Sequence, residues 1–382
     1  MSVDLVEKLK KIKKLVVEHI STLKGHTGPV FSVFADRYNI YSCSGDRTIR
    51  LWDRRTFREI TSLSGYPYPV LGIMVDRHYI YTSSGNIFRV WSRETLGEAK
   101  RAEEHRKTIF AIHLDYEYVY TGSADKSVIV WDKNNLSRVM TIAGNPYPVY
   151  SIASDDKYIY LGLGDKDSDV GIIRVLDRKT FKEVSLFEGH KGPVKSIYVY
   201  GPTIFSCSTD QTVRLWSNID FKLIATLEGH TGPVNSVFAD DRYVYSASED
   251  GTIRIWSREN LAVDEIIDAG SPVLSMFVDD CYIFAGLRDH TIKIWLRPIT
   301  YIGGSIVCSP GISTINHFPA IDNRISVDKF VRFDDLYVEL VDGHKYHFSL
   351  DKPLFLVNWD KVSGEDPEFQ KFLEKFSKYY GE

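Results

Sequence analysis

The stretch Glu228–Ser257 reads EGHTGPVNSVFADDRYVYSASEDGTIRIWS. Two runs rich in β-branched and aromatic residues, Val234–Phe238 and Tyr243–Ala247, flank the polar pair Asp240-Asp241. That arrangement signals a hairpin. A third run, Thr252–Trp256, follows the turn Glu249-Asp250-Gly251. Gly229-His230 opens the unit and Trp256 closes it.

The same pattern recurs from Gly25-His26 to Trp52-Asp53, from Tyr66 to Trp91 and from His105 to Trp131-Asp132. It returns from Asn145 to Leu176-Asp177, from Gly189-His190 to Trp216 and from Gly270 to Trp295. The period is about 40 residues, a propeller-blade length. A fourth strand fits segments such as Phe181–Phe187 and Phe221–Leu227, just before the next Gly-His. Val17–Leu23 has the same character but no repeat before it. It is expected to complete the last repeat and close a ring.

Gly-His and Trp-Asp at a fixed separation, repeated, resemble the WD40 repeat family over residues 16–299. The resemblance implies an all-β, seven-bladed WD40 β-propeller, with residues 17–23 closing the last blade. Physics favours the same answer. A single four-stranded sheet cannot bury both faces, whereas radial stacking covers them and ring closure leaves no long free edge.

Two further units are expected. In residues 1–15 a short N-terminal helix is read from Leu5, Leu9 and Ile12, with Val16 next in register. Lys8, Lys10, Lys11, Lys13 and Lys14 form its solvated face. In residues 300–382 a small α+β C-terminal unit is expected. Leu336–Val341 and His344–Leu350 flank Asp342-Gly343, a hairpin signal. Asp366-Pro367 begins a helix with Phe369, Phe372, Leu373 and Phe376 as its apolar stripe.

The composition, 43% hydrophobic and 26% charged, is that of a soluble globular protein. A net charge of -4 provides no basic field to recruit nucleic acid. Cys43 and Cys207 fall at the same position of different repeats, so they are expected apart and reduced. No apolar run spans a membrane and residues 1–20 lack a signal-peptide core, so an intracellular, cytoplasmic location is expected.

Four repeats carry a full polar set: His26, Ser42, Asp46, Trp52; His105, Thr121, Asp125, Trp131; His190, Ser206, Asp210, Trp216; and His230, Ser246, Asp250, Trp256. The resemblance implies a hydrogen-bonded chain inside each blade. The residue types suit one: Trp donates, the hydroxyl donates and accepts, His bridges and Asp accepts. A hydrolase triad is not read from them, because the set recurs with its Trp and there is no G-x-S-x-G elbow. No catalytic residue, metal or cofactor is expected. In the fourth repeat Asp165, Asp167 and Asp169 alternate as in a calcium loop, but Leu176 stands where the ligand Glu belongs, so an extended hairpin turn is expected.

Three repeats depart from the set. The second has Tyr66 for His and a short Gly85-Asn86 turn; the fourth has Asn145, Leu161 and Leu176; the seventh has Ser271 and Ala285 beside Asp289 and Trp295. These blades are expected to rely on apolar packing and to be locally softer.

Partners of this family dock on a propeller face, which the resemblance extends to this chain. One rim position follows the residue that begins each first strand: Phe31, Leu71, Phe110, Tyr150, Lys195, Asn235 and Leu274. It is apolar or aromatic in the first four repeats. Tyr68 and Tyr147 sit in Pro-fixed loops near the same face, and Arg288 lies just before a turn Asp. Phe31, Tyr68, Leu71, Phe110, Tyr147, Tyr150, Leu274 and Arg288 are therefore the candidate partner-binding residues, and a scaffold for a protein or peptide partner is expected. Two alternatives carry less support. A subunit of an RNA-binding or RNA-modification complex would need Arg50, Arg214 and Arg254 to line one basic surface. A substrate receptor of a ubiquitin ligase would use Trp52-Asp53-Arg54-Arg55.

Overall fold

The computed structural model describes residues 17–297 and the strands at 335–339 and 345–349. Asp335–Glu339 pairs antiparallel with Lys345–Ser349, with Leu336 opposite Phe348. The two expected helices lie outside the described residues, as does the rest of the C-terminal segment.

Residues 19–296 form seven four-stranded antiparallel sheets, numbered here as blades in chain order. The first strands are Val30–Ala35, Val70–Val75, Ile109–Leu114, Val149–Ser154, Val194–Tyr200, Val234–Ala239 and Val273–Val278. Each lies beside the first strands of the two neighbouring blades, from blade 1 round to blade 7 and back, so these strands form the inner ring. Within a blade the strands follow one another as a meander, except at the closure. There His19–Leu23 supplies the fourth strand of blade 7, with Thr22 opposite Lys293 and Leu23 opposite Ile292. The first and last strands of the ring thus share one sheet, and blade 7 has the same four strands as the other blades.

The core sits between blades. Tyr41, Cys43, Ile49 and Leu51 of blade 1 pack with Tyr66, Val70, Ile73 and Trp91 of blade 2. Phe187, Ile173 and Val175 of blade 4 pack likewise with Val194, Ile204 and Trp216 of blade 5. Second strands are therefore buried on both faces, while the outer fourth strands alternate between exposed and half-buried positions. Around the inner ring Phe34, Phe277, Phe238 and Tyr198 meet ring to ring across blades 1, 7, 6 and 5.

Five of the tyrosines recur at one position for a specific reason. Asp36, Asp76, Asp115, Asp155 and Asp240 each open the first hairpin turn of a blade. One carboxylate oxygen accepts two backbone N–H groups of the turn, for example those of His78 and Tyr79 at 2.8 Å from Asp76. The other oxygen accepts a hydroxyl five residues on, from Tyr41, Tyr81, Tyr120, Tyr160 or Tyr245, at 2.7–3.1 Å. These rings are almost fully buried.

A cation from the next blade then reaches back to the same carboxylate. Arg93 pairs with Asp36, Lys133 Nζ lies 3.6 Å from Asp76, and Arg178 Nε lies 3.0 Å from Asp115. At the closure Arg54 of blade 1 lies 2.7 Å from Asp279 of blade 7. Burial alone would raise the Asp115 carboxyl, but bonds from Tyr120, the Tyr118 amide and Arg178 hold it below the usual range. Blade 5 has Tyr200 at the Asp position. There Arg258 lies over the Tyr200 and Phe205 rings, 5.4 and 5.5 Å from their centroids. At five of the seven junctions the blades are thus linked by charge pairs or cation–π contacts as well as by the apolar core.

Candidate functional site

The polar set assembles into a buried chain in blades 1, 3, 5 and 6. In blade 1 the Trp52 indole N–H donates to Ser42 Oγ at 2.9 Å, and Ser42 Oγ lies 2.8 Å from His26 Nε2. His26 Nδ1 lies 2.8 Å from Asp46 Oδ2, which also accepts the Thr27 amide. An indole can only donate and a carboxylate only accepts, so with a neutral imidazole the hydroxyl donates to Nε2 and Nδ1–H donates to the carboxylate. The same distances, within 0.3 Å, link His105, Thr121, Asp125 and Trp131; His190, Ser206, Asp210 and Trp216; and His230, Ser246, Asp250 and Trp256. Burial pushes the imidazoles of His26, His190 and His230 below their ordinary pKa, outweighing the nearby Asp carboxylates. In these three blades burial thus favours the neutral imidazole, the form in which Nε2 accepts and Nδ1–H donates. Each of the four hydroxyls is engaged by its indole and histidine inside the blade.

Blade 2 departs from the expectation of apolar packing alone. The Tyr66 hydroxyl lies 2.9 Å from Thr82 Oγ1 and accepts the Trp91 indole N–H at 2.7 Å. A phenol spans the gap that imidazole and hydroxyl fill elsewhere, and Arg89 lies over its ring, 4.7 Å from the centroid. In blade 4, Leu161 and Leu176 join an apolar cluster, and Asn145 Oδ1 accepts from Arg174 at 2.9 Å. In blade 7 the residue at the His position is Ala269, not Ser271, because it lies 16 residues before Ala285, the separation of His26 from Ser42. Ser271 Oγ instead accepts the Asp289 amide at 3.2 Å. The blade 4 turn satisfies itself, with Asp165 accepting the Asp167 amide and the Ser168 hydroxyl. Among the described residues no group of His, Cys, Asp and Glu could hold a metal ion.

The rim position is a β-bulge in every blade. The register of first on second strand shifts across Phe31, Leu71, Phe110, Tyr150, Lys195, Asn235 and Leu274. A bulge sets two residues against one and re-aims the extra side chain. All seven side chains are half-buried. Phe110 and Tyr150 are brought together, with centroids 4.8 Å apart and planes at 6°. Lys195 Nζ lies over the Tyr150 ring at 5.0 Å. Asn235 is turned to its neighbour, donating to the Val273 carbonyl at 3.0 Å.

The remaining candidates are distributed differently. Tyr68 is 51% exposed and its ring lies on Gly85, where a Cβ would fall 2.5 Å from the ring. That contact and a φ of +57° require the glycine. Tyr147 packs against the apolar cluster shared by blades 3 and 4. Arg288 is engaged by Glu249 at 2.6 Å.

The arginines of the nucleic-acid alternative sit on third strands. Arg50 pairs with Glu59, whereas among the described residues Arg214 and Arg254 form no ion pair; Arg254 lies over the Trp256 ring, 5.9 Å from its centroid. Arg55 stands exposed in the outer hairpin of blade 1, its amide bonded to Asp53.

Sequence reading passed over the Asp–Tyr–cation links described above. The signal was present as Asp followed five residues later by Tyr, and a basic residue two after the Trp, as in Asp36–Tyr41 and Trp52–Arg54.

The family model for the WD domain, G-beta repeat, matches residues 17–53, 99–132, 181–217 and 221–257. The chain carries WD40 repeats in these four places. Each matched segment contains one complete His–hydroxyl–Asp–Trp set, whereas blades 2, 4 and 7 complete the seven-bladed propeller with altered sets. WD40 propellers are typical of protein-interaction scaffolds and are generally not catalysts. No curated protein matches the sequence. No helix among the described residues is long and apolar enough to cross a membrane.

Proposed function

We propose that this WD40 propeller is a non-enzymatic scaffold that binds a peptide or protein partner on the face carrying the bulged rim of blades 1–4. The observation that carries the reading is the Phe110–Tyr150 stack, a half-exposed aromatic pair spanning two blades. Aromatic rings held rigidly at a surface supply large contact area at low entropic cost. The bulges support it further, since they place Phe31 and Leu71 at the same level of blades 1 and 2. A nucleic-acid surface is less well supported, because of the three arginines it needs Arg50 is matched by Glu59, and Arg50, Arg214 and Arg254 stand on the third strands of three different blades.

The test compares affinity capture by wild type with capture by a Phe31→Ala, Phe110→Ala, Tyr150→Ala triple variant of unchanged circular dichroism. Proteins captured by wild type and lost from the variant are then purified and titrated directly. Loss of direct binding supports the rim. Capture and affinity that are the same for both proteins would refute it.

A further inference from the structure

The rim carries a cation whose counter-charge is not supplied by the described residues. Lys195 occupies the bulge of blade 5 and lies over the face of Tyr150, 5.0 Å from the ring centroid. Phe110 stacks on that ring at 4.8 Å. No carboxylate of the described residues lies within ion-pair distance of the Lys195 amine; Glu249, the acid that acts on it, is held by Arg288 at 2.6 Å. Burial, reinforced by Lys166, disfavours the charged form of this amine. A partly desolvated ammonium beside aromatic surface gains more from an arriving anion than an exposed lysine does.

We propose that Lys195 pairs with the carboxylate of an Asp or Glu side chain in the peptide partner, while an adjacent apolar residue of that peptide rests against the Phe110–Tyr150 stack. The inference rests on the rim reading above and specifies its chemistry. A carboxylate fits better than a phosphate. One charge matches the single amine over the Tyr150 ring, and Asp165 and Asp167, which act on the Tyr150 hydroxyl, repel a dianion more strongly than a monoanion, a repulsion that Lys166 offsets only in part.

The experiment pans random peptides displayed on phage against full-length wild type, Lys195→Met, Lys195→Arg and Tyr150→Ala, each checked for an unchanged thermal melt. Wild type is expected to enrich peptides with Asp or Glu beside an apolar residue. Changing that acid to its amide in a selected synthetic peptide should weaken binding to wild type by roughly tenfold or more. The same change should cost little on Lys195→Met, and Lys195→Arg should restore the preference. Selected peptides that need Tyr150 but show no acid preference, or an amide penalty equal on wild type and Lys195→Met, would overturn this inference and leave the rim reading standing. Peptides that bind Tyr150→Ala undiminished, or no enrichment at all, would overturn both.

Discussion

Replacing Tyr66 with Phe removes one oxygen and leaves the ring where it is. In the structure that oxygen joins Thr82 Oγ1 at 2.9 Å to the Trp91 indole at 2.7 Å, inside blade 2. Thr82 retains a long contact to the Arg89 carbonyl at 3.4 Å, and Arg89 retains a ring to lie over. The indole N–H loses its hydroxyl acceptor in a buried position. Stranding one buried donor costs about 1–3 kcal/mol, and the second lost bond adds up to ~1 kcal/mol. A total near 2–3 kcal/mol corresponds to a fall in Tm of roughly 3–5 °C for a domain of this size. A propeller need not unfold in one step, so calorimetry should be paired with hydrogen exchange resolved to Tyr79–Ser92. The control is Tyr81→Phe. Its partner Asp76 keeps the His78 and Tyr79 amides, so the cost should stay near 1 kcal/mol. A Tyr66→Phe protein within ~0.5 kcal/mol of wild type, with unchanged exchange in blade 2, would refute the claim that Tyr66 replaces the missing histidine.

Acid should destabilise the propeller. His26, His190 and His230 have folded pKa values below 6.5, and burial takes His113 down to about 4. Below pH 6.5 the unfolded chain binds more protons, so stability is complete above that pH and falls as pH drops. Asp250, lowered to about 2 by its Thr252 and His230 bonds against the effect of burial, adds a loss below pH 3.8 in the same direction. A Tm that rises between pH 7 and pH 5 would contradict this.

Asp115→Ala should cost about 2–4 kcal/mol in urea titrations and Arg178→Met about 1–2 kcal/mol, because Asp115 also holds the Tyr120 hydroxyl and two turn amides. Equal effects would mean that only the charge pair matters. Leu23→Ala, in the strand that closes the ring, should cost about 2–4 kcal/mol and raise exchange in Ile292–Leu296. Unchanged exchange there would show that the closing strand does not latch blade 7.

The sequence by itself determined the repeat, the strand order within each blade, the closing role of Val17–Leu23 and the residues of the polar chains. These are legible because a blade is a local object: its strands are consecutive, its turns are short, and His, hydroxyl, Asp and Trp recur at constant separations. Tertiary structure alone decided what passes between blades. Arg178 reaches Asp115 across 63 residues of chain, and Tyr150 meets Phe110 and Lys195 from adjacent sheets. The same applies inside altered blades. That the Tyr66 phenol spans the distance covered elsewhere by imidazole and serine depends on where the Trp91 indole lies, which the Gly85-Asn86 turn shifts by one residue of sequence. Arg288 and Lys195 look alike as rim cations on the page of sequence. Glu249 forms an ion pair with one, while the other lies over the Tyr150 ring, because ion pairing depends on side-chain distance across blades rather than on repeat position.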